Sequence, residues 1–288
     1  MKYNLAATIL ISLGLSTSAF SQTFIDAFTS GYDGSVWTEV NGLGPNFDLK
    51  NPDTFTDLSG NIEDFLNYFT TSAPTGFEQV FLNYGGTAPA APTNLQNFSV
   101  SLDASNFAGF TGQLTAGVGS LAQIGLNIND SDISDGFNLY NGAYSFGGFG
   151  SNDVIFFDGT NFAQPEDFTE QVTLLLDFSA LTQTFTFSYA TEVSTSGSFV
   201  SFATLNIDGT GTSGLTDFVD DWGMASGEAF DINIYAGSNV AIPSQVAGFG
   251  FMNADNFELT APIPEPASLP VLLGLVALGF ACIRRRAA

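Results

Sequence analysis

The chain has 288 residues, 29 Asp and Glu against 5 Lys and Arg, and a formal net charge of −24 at pH 7. So little positive charge cannot neutralise phosphate, which makes nucleic acid and anionic lipid surfaces poor partners of the body and leaves divalent cations, cationic matrix components and neutral sugars. With no histidine and one cysteine, Ser-His-Asp and Cys-His catalysis and His-ligated zinc are also excluded.

Residues 1–21 read as a secretory signal peptide. Lys2 supplies a positive start, Leu5 to Leu15 an apolar stretch, and Ala19-Phe20-Ser21 a small-x-small cleavage site, with cleavage between Ser21 and Gln22 by signal peptidase after delivery to the secretion machinery. An apolar opening, Phe24-Ile25-Asp26-Ala27-Phe28, leads towards Trp37. A short helix is expected over Asn61 to Phe69. Gly85 to Thr93, with two prolines, is a long loop or a linker.

Leu121 to Ile128 alternates loosely. The acidic stretch from Asn129 to Gly136 lacks the spacing of a calcium loop, because Asp135 stands where the sixth-position glycine belongs and Gly136 comes one late. Tight turns are expected at Asp135-Gly136, Asn141-Gly142, Asp158-Gly159 and Asp208-Gly209, dipeptides that tolerate positive φ. Val172, Leu174, Leu176 and Phe178 share one face. After a polar turn over Ser179 to Gln183, Thr184 to Tyr189 alternates strictly, which predicts a hairpin. Phe199 to Ile207 and Phe230 to Tyr235 alternate too, and a second short helix is expected over Leu215 to Trp222, with Asp217, Asp220 and Asp221 on its polar face.

The C-terminal segment, 263–288, has three parts. Pro264-Glu265-Pro266 holds Glu265 on an extended stem, because proline blocks upstream extension of a helix. Ala267 to Ile283 is an uncharged apolar run at the short limit for a transmembrane helix, and Arg284-Arg285-Arg286 fixes its C-terminal end in the cytoplasm. Between Gln22 and Ile263 the only basic residue is Lys50, against 28 acidic ones, and the one cysteine, Cys282, lies in the apolar run. The body, residues 22–262, therefore has no disulfide and relies on packing or metal. Many short alternating strands with 30 phenylalanines predict an all-β domain, a β-sandwich or jelly roll.

Pro264-Glu265-Pro266, the apolar run and the terminal arginines resemble the PEP-CTERM sorting signal of Gram-negative bacteria. That resemblance implies recognition by an exosortase-type membrane enzyme, export through the inner membrane as an anchored precursor, and delivery to the cell surface or extracellular matrix. The opening strand with Trp37, the Val172 to Tyr189 hairpin and the closing Ala254-Asp255-Asn256-Phe257-Glu258-Leu259 resemble elements of concanavalin A-like and laminin-G-like sandwiches. In such folds the first and last strands are neighbours, which implies that Asp26 and Asp255 approach each other as candidate ligands for a structural calcium, oxygen donors being what calcium takes.

No catalytic residue is assigned. A carboxylate-dependent glycoside hydrolase is the enzyme alternative, but Glu166-Asp167-Phe168-Thr169-Glu170 is the nearest approach to a hydrolase strand and its spacing beside Pro165 suits a loop. A calcium-dependent adhesin is a further alternative. The leading expectation is a non-catalytic structural or polysaccharide-binding protein of an exopolysaccharide or biofilm matrix, with Trp37, Trp222, Tyr140 and Tyr144 available to stack on sugar rings.

Overall fold

The computed structural model describes residues 21–28, 33–41, 47–56, 62–70, 74, 76–106, 120–130, 135–146, 149–165, 171–191, 198–242 and 252–262. Residues Thr23–Ala261 gather into one compact unit. The signal segment before Ser21, the sorting motif Pro264 to Pro266, Arg284 to Arg286 and the Glu166 to Glu170 stretch lie outside the described residues. Among the described residues no helix is long and apolar enough to cross a membrane.

The described elements are all strands. They are β1 (Ser21–Asp26), β2 (Trp37–Asn41), β3 (Phe47–Thr56), β4 (Ile62–Thr70), β5 (Glu78–Tyr84) and β6 (Phe98–Asn106). Then come β7 (Ser120–Asn129), β8 (Gly136–Phe146), β9 (Phe149–Phe157), β10 (Phe162–Ala163) and β11 (Gln171–Ser179). The chain continues through β12 (Thr184–Ala190), β13 (Val200–Asn206), β14 (Asp217–Val219), β15 (Asp231–Ser238) and β16 (Met252–Pro262). A nine-stranded sheet has the order β14-β13-β12-β11-β6-β16-β4-β3, with β1 also paired to β16, and a seven-stranded sheet has the order β10-β9-β8-β7-β15-β5-β2.

The two sheets pack face to face because each strand puts alternate apolar side chains on one side. From the nine-stranded sheet come Leu102, Leu174, Leu176, Phe185 and Phe187, and from the seven-stranded sheet Ile124, Leu126, Phe137, Phe156 and Ile234, all within 1% of complete burial. Rings interlock between the layers. Phe137 stands edge-on to Phe185 and Phe187 at 5.0 and 4.9 Å, and Phe156 stacks on Phe187 at 4.3 Å. Each such pair adds about 0.5–1.5 kcal/mol beyond burial, so ring packing ties the two layers together in a body that has no cysteine. At one end an amide staple joins the layers: Asn106 Nδ2 donates to the carbonyls of Ala122 and Asn141 at 3.0 and 3.1 Å, and Asn141 Nδ2 donates to Ala104 O at 3.4 Å.

The expected hairpin forms as β11 and β12, with Phe178 opposite Phe185. Gly159 and Gly209 take φ of 95° and 69°, as the Asp-Gly turns require. Three expectations are corrected. Residues 62–70 form strand β4 between β16 and β3, with Leu66, Tyr68 and Thr70 buried at period two. Residues 217–219 form strand β14, parallel to β13, and Asp221 bridges Asp208. Phe218 and Trp222, both buried, are four apart, and an even spacing places them on one side of an extended chain as readily as on one side of a helix. Asn141-Gly142 lies inside β8, where the Asn141 amide serves the staple and makes no turn.

Candidate functional site

The two outer faces of the sandwich differ. On the seven-stranded sheet the centre is sealed: Tyr140, Ile155, Asn127, Asn233 and Tyr235 are all buried. The Tyr235 hydroxyl donates to Gln123 Oε1, and Asn233 Nδ2 donates to Asn127 Oδ1 at 2.9 Å. Burial pushes the Tyr235 and Tyr140 hydroxyls well above their ordinary range. Burial also raises the Asp153 carboxyl, against a lowering hydrogen bond from Gln164. Tyr140, one of the four candidate stacking aromatics, is thus a packed side chain. Trp37 and Trp222 are 1% and 4% exposed and belong to the core, and the Tyr144 side chain lies outside the described residues.

The outer face of the nine-stranded sheet is open and polar. On β6, Val100, Leu102 and Ala104 face the core, which sends Ser99, Ser101 and Asp103 outward at period two. On β11, Thr173 stands opposite Asp103 and Leu175 opposite Ser101, and on β16 Glu258 stands opposite Ser101. The β16 register slips between Asp255 and Glu258. Asn256 takes a φ of 48° there, a left-handed conformation that Asn tolerates better than bulkier residues. The bulge turns its side chain onto the neighbouring strand.

Together these residues build a cleft of about 170 Å³ lined by Ser99, Ser101, Asp103, Thr173, Leu175, Phe199, Asn256 and Glu258. Asp103 lies at its base, 7% exposed. Thr173 Oγ1 donates to Asp103 Oδ1, and Asn256 Nδ2 donates to Asp103 Oδ2 at 2.9 Å. The Asn256 N–H itself is held by Asp255 Oδ1 at 2.7 Å, and Glu258 Oε1 accepts from Thr260 Oγ1 at 3.3 Å. The result is an oriented carboxylate and amide beside serine hydroxyls, with Leu175 and Phe199 as apolar wall. A carboxylate oxygen has lone pairs beyond the one engaged, and the amide has a second N–H, so the cleft offers both acceptor and donor. A wider cleft of about 440 Å³ lies on the same face over β12 to β14, lined in part by Thr184, Thr204, Asn206, Asp208 and Asp217.

None of the cleft's base residues was a sequence candidate. The signal was present only as the alternating Ser99-x-Ser101-x-Asp103 stripe. The strands that carry the calcium candidates Asp26 and Asp255, β1 and β16, are neighbours. Asp26 Oδ2 accepts from Trp37 Nε1 and Oδ1 from the Phe28 N–H, both at 2.9 Å, so both oxygens serve protein donors. Asp255 Oδ1 holds Asn256. Among the described residues no group of three or more Asp, Glu or Cys is placed to hold a metal ion. In the 129–136 loop, Asp130 accepts from the Asp135 N–H at 3.3 Å, and 131–134 lie outside the described residues. Asp217 Oδ1 accepts from Thr204 Oγ1 at 3.0 Å, while Asp220 and Asp221 follow β14, with Asp221 bridged to Asp208.

No family model matches the chain, and no curated protein matches it. Solved structures with similar architecture include peanut lectin with a 9-mer peptide, at TM-score 0.42 and 9% identity over 86% of this chain and 100% of that one. Lectin I from Ulex europaeus in complex with the methyl glycoside of α-L-fucose gives 0.42 and 10% over 84% and 98%. The CBM2 module of the evolved Dit of Lactobacillus casei BL23 phage J-1 gives 0.40 and 10% over 85% and 98%. At these values no residue and no activity passes from those proteins to this one. The all-β sandwich stands on its own two sheets.

Proposed function

We propose that this is an exported envelope or matrix protein, sorted through its C-terminal segment by an exosortase-type enzyme, that binds neutral polysaccharide without cleaving it. The observation that carries the binding role is the Asp103 cleft. A sugar ring presents hydroxyls that donate to carboxylates and accept from amides, and a C–H face that rests on apolar or aromatic side chains. The cleft supplies each of these in one place. Its volume is below the roughly 300–1,000 Å³ of drug-sized sites, which suits one ring of a longer chain. The body's acidity turns away anionic polymers.

The sorting part rests on the Pro264-Glu265-Pro266 stem, the apolar run and Arg284 to Arg286. Asp103 and Glu258 facing one cleft also favour a second reading, carboxylate-dependent glycoside hydrolysis. Both are tested with the full-length chain in a non-glycosidic detergent. Calorimetric titration with neutral oligosaccharides should show binding that Asp103→Ala abolishes, with no new reducing ends over hours. Binding unaffected by that substitution refutes the site, and release of reducing ends that requires Asp103 and Glu258 replaces the binding role with a catalytic one. For sorting, mass spectrometry of the mature surface protein should find Arg284 to Arg286 removed; an intact Arg286 there means simple anchoring.

A further inference from the structure

The Asp103 cleft and the wider threonine-lined cleft are joined by a row of side chains that crosses the strands. The pairing register places Thr260 opposite Ser99, Ser99 opposite Asp177, Asp177 opposite Thr186, Thr186 opposite Thr204, and Thr204 opposite Asp217. Beyond Thr260 the row continues onto β1, where the Thr23 and Thr260 hydroxyls lie 3.0 Å apart. All these residues point outward, since their neighbours along each strand, such as Phe98, Phe178, Phe185, Phe187, Leu205 and Phe218, fill the core. None of the row is buried. The row therefore runs from β1 to β14 across seven strands, a span of about 29 Å at the usual strand spacing.

We infer that this row is a track for an extended neutral polysaccharide lying perpendicular to the strands, with the Asp103 cleft holding one ring and the cleft over β12 to β14 holding the chain further along. This rests on the polysaccharide-binding reading above and adds its ligand class: a chain of several sugars in place of a single terminal one. Two physical matches support it. Strands stand about 4.8 Å apart, close to the advance of one pyranose in an extended chain, so successive rings meet successive strands. The row's chemistry is mostly neutral hydroxyl, able both to donate and to accept. Its two carboxylates are acceptors only, and one of them, Asp217, already takes the Thr204 hydroxyl. A polyol supplies the missing donors without needing fixed charge. A polyanion would meet Asp177, Asp217 and Glu258.

The test uses the full-length chain in non-glycosidic detergent with gluco-, manno- and galacto-oligosaccharide ladders of one to six residues, and polylysine as the charged alternative. The second protein is the Thr186→Val/Thr204→Val variant, which keeps β-branched side chains in the strands and leaves the Asp103 cleft intact. For at least one ladder the affinity should rise with every added residue. The variant should lose roughly tenfold for the hexamer, the loss of two hydrogen bonds, while binding the shortest ligand as the parent does and unfolding at a similar temperature. Equal affinity for one and six residues overturns the track while leaving the cleft as a site for a single ring. Length dependence that the variant does not reduce also overturns it. Salt-sensitive binding of polylysine with no binding of any ladder overturns it in favour of a cationic polymer. No binding of any ligand defeats the polysaccharide reading as a whole.

Discussion

Replacing Asp26 by Ala tests what that carboxylate does. Its oxygens sit 2.9 Å from Trp37 Nε1 and 2.9 Å from the Phe28 amide, and both Trp37 and Phe28 are buried. Trp37 in turn packs edge-on against Phe257 at 4.8 Å and against Tyr84 at 5.4 Å, so the bonds fix β1 and β2 onto the sandwich. Hydrogen bonds to an ionised acceptor contribute about 1.5–3 kcal/mol each. Taking the low end because both bonds are only partly buried, the loss is roughly 3 kcal/mol. For a domain of this size that lowers the melting temperature by roughly 6–12 °C. In a Trp37→Phe background one donor is already gone, and Asp26→Ala should cost only about half as much. Differential scanning calorimetry of the four proteins, each with and without a chelator, measures this. A melting temperature for Asp26→Ala within about 1 °C of the parent refutes the hydrogen-bonding role. If chelation lowers the parent by the same amount and leaves Asp26→Ala unchanged, the carboxylate is a calcium ligand.

Two further outcomes follow from the seven-stranded sheet. A Cβ on Gly125 would strike the Leu139 carbonyl and the Tyr140 backbone on β8, atoms that cannot move aside, so Gly125→Ala should lose about 1–3 kcal/mol. Urea unfolding should show this as a lower midpoint at an unchanged slope, and an unchanged midpoint would show that the β7–β8 pairing is looser than described. Asp231 has its carboxyl raised above the ordinary 3.8, first by burial and then by the nearby Asp130 charge. The folded state therefore holds its proton more tightly than the unfolded one, and stability falls as pH rises from 3.8 through the raised value. Asp231→Asn should melt higher than the parent at pH 7 and match it at pH below 3.8. Equal melting temperatures at pH 7 would refute the penalty.

The alternation of Val172 to Phe178 and Thr184 to Tyr189 determined a hairpin, because two period-two runs joined by one polar turn bury one face together; a two-residue slip would keep the same faces, so its register, Phe178 opposite Phe185, was decided by the fold. The Asp158-Gly159 and Asp208-Gly209 turns were determined the same way, by dipeptides that reach positive φ. The missing histidine and the lone Lys50 set the limits on chemistry before any fold was known. Local pattern could not separate β14 from a helix, since Phe218 and Trp222 satisfy both periods, and the pairing with β13 decided it. Nor could it show that the Asn141 amide would leave its own turn to reach Ala104 on the other sheet. The Asp103 cleft was least legible of all. Asp103, Thr173 and Asn256 meet only because β6 lies between β11 and β16, which brings Asp103 to residues 70 and 153 positions further along the chain. Alternation by itself determined the outward faces of the β11–β12 hairpin; the order of the strands decided which outward residues stand together.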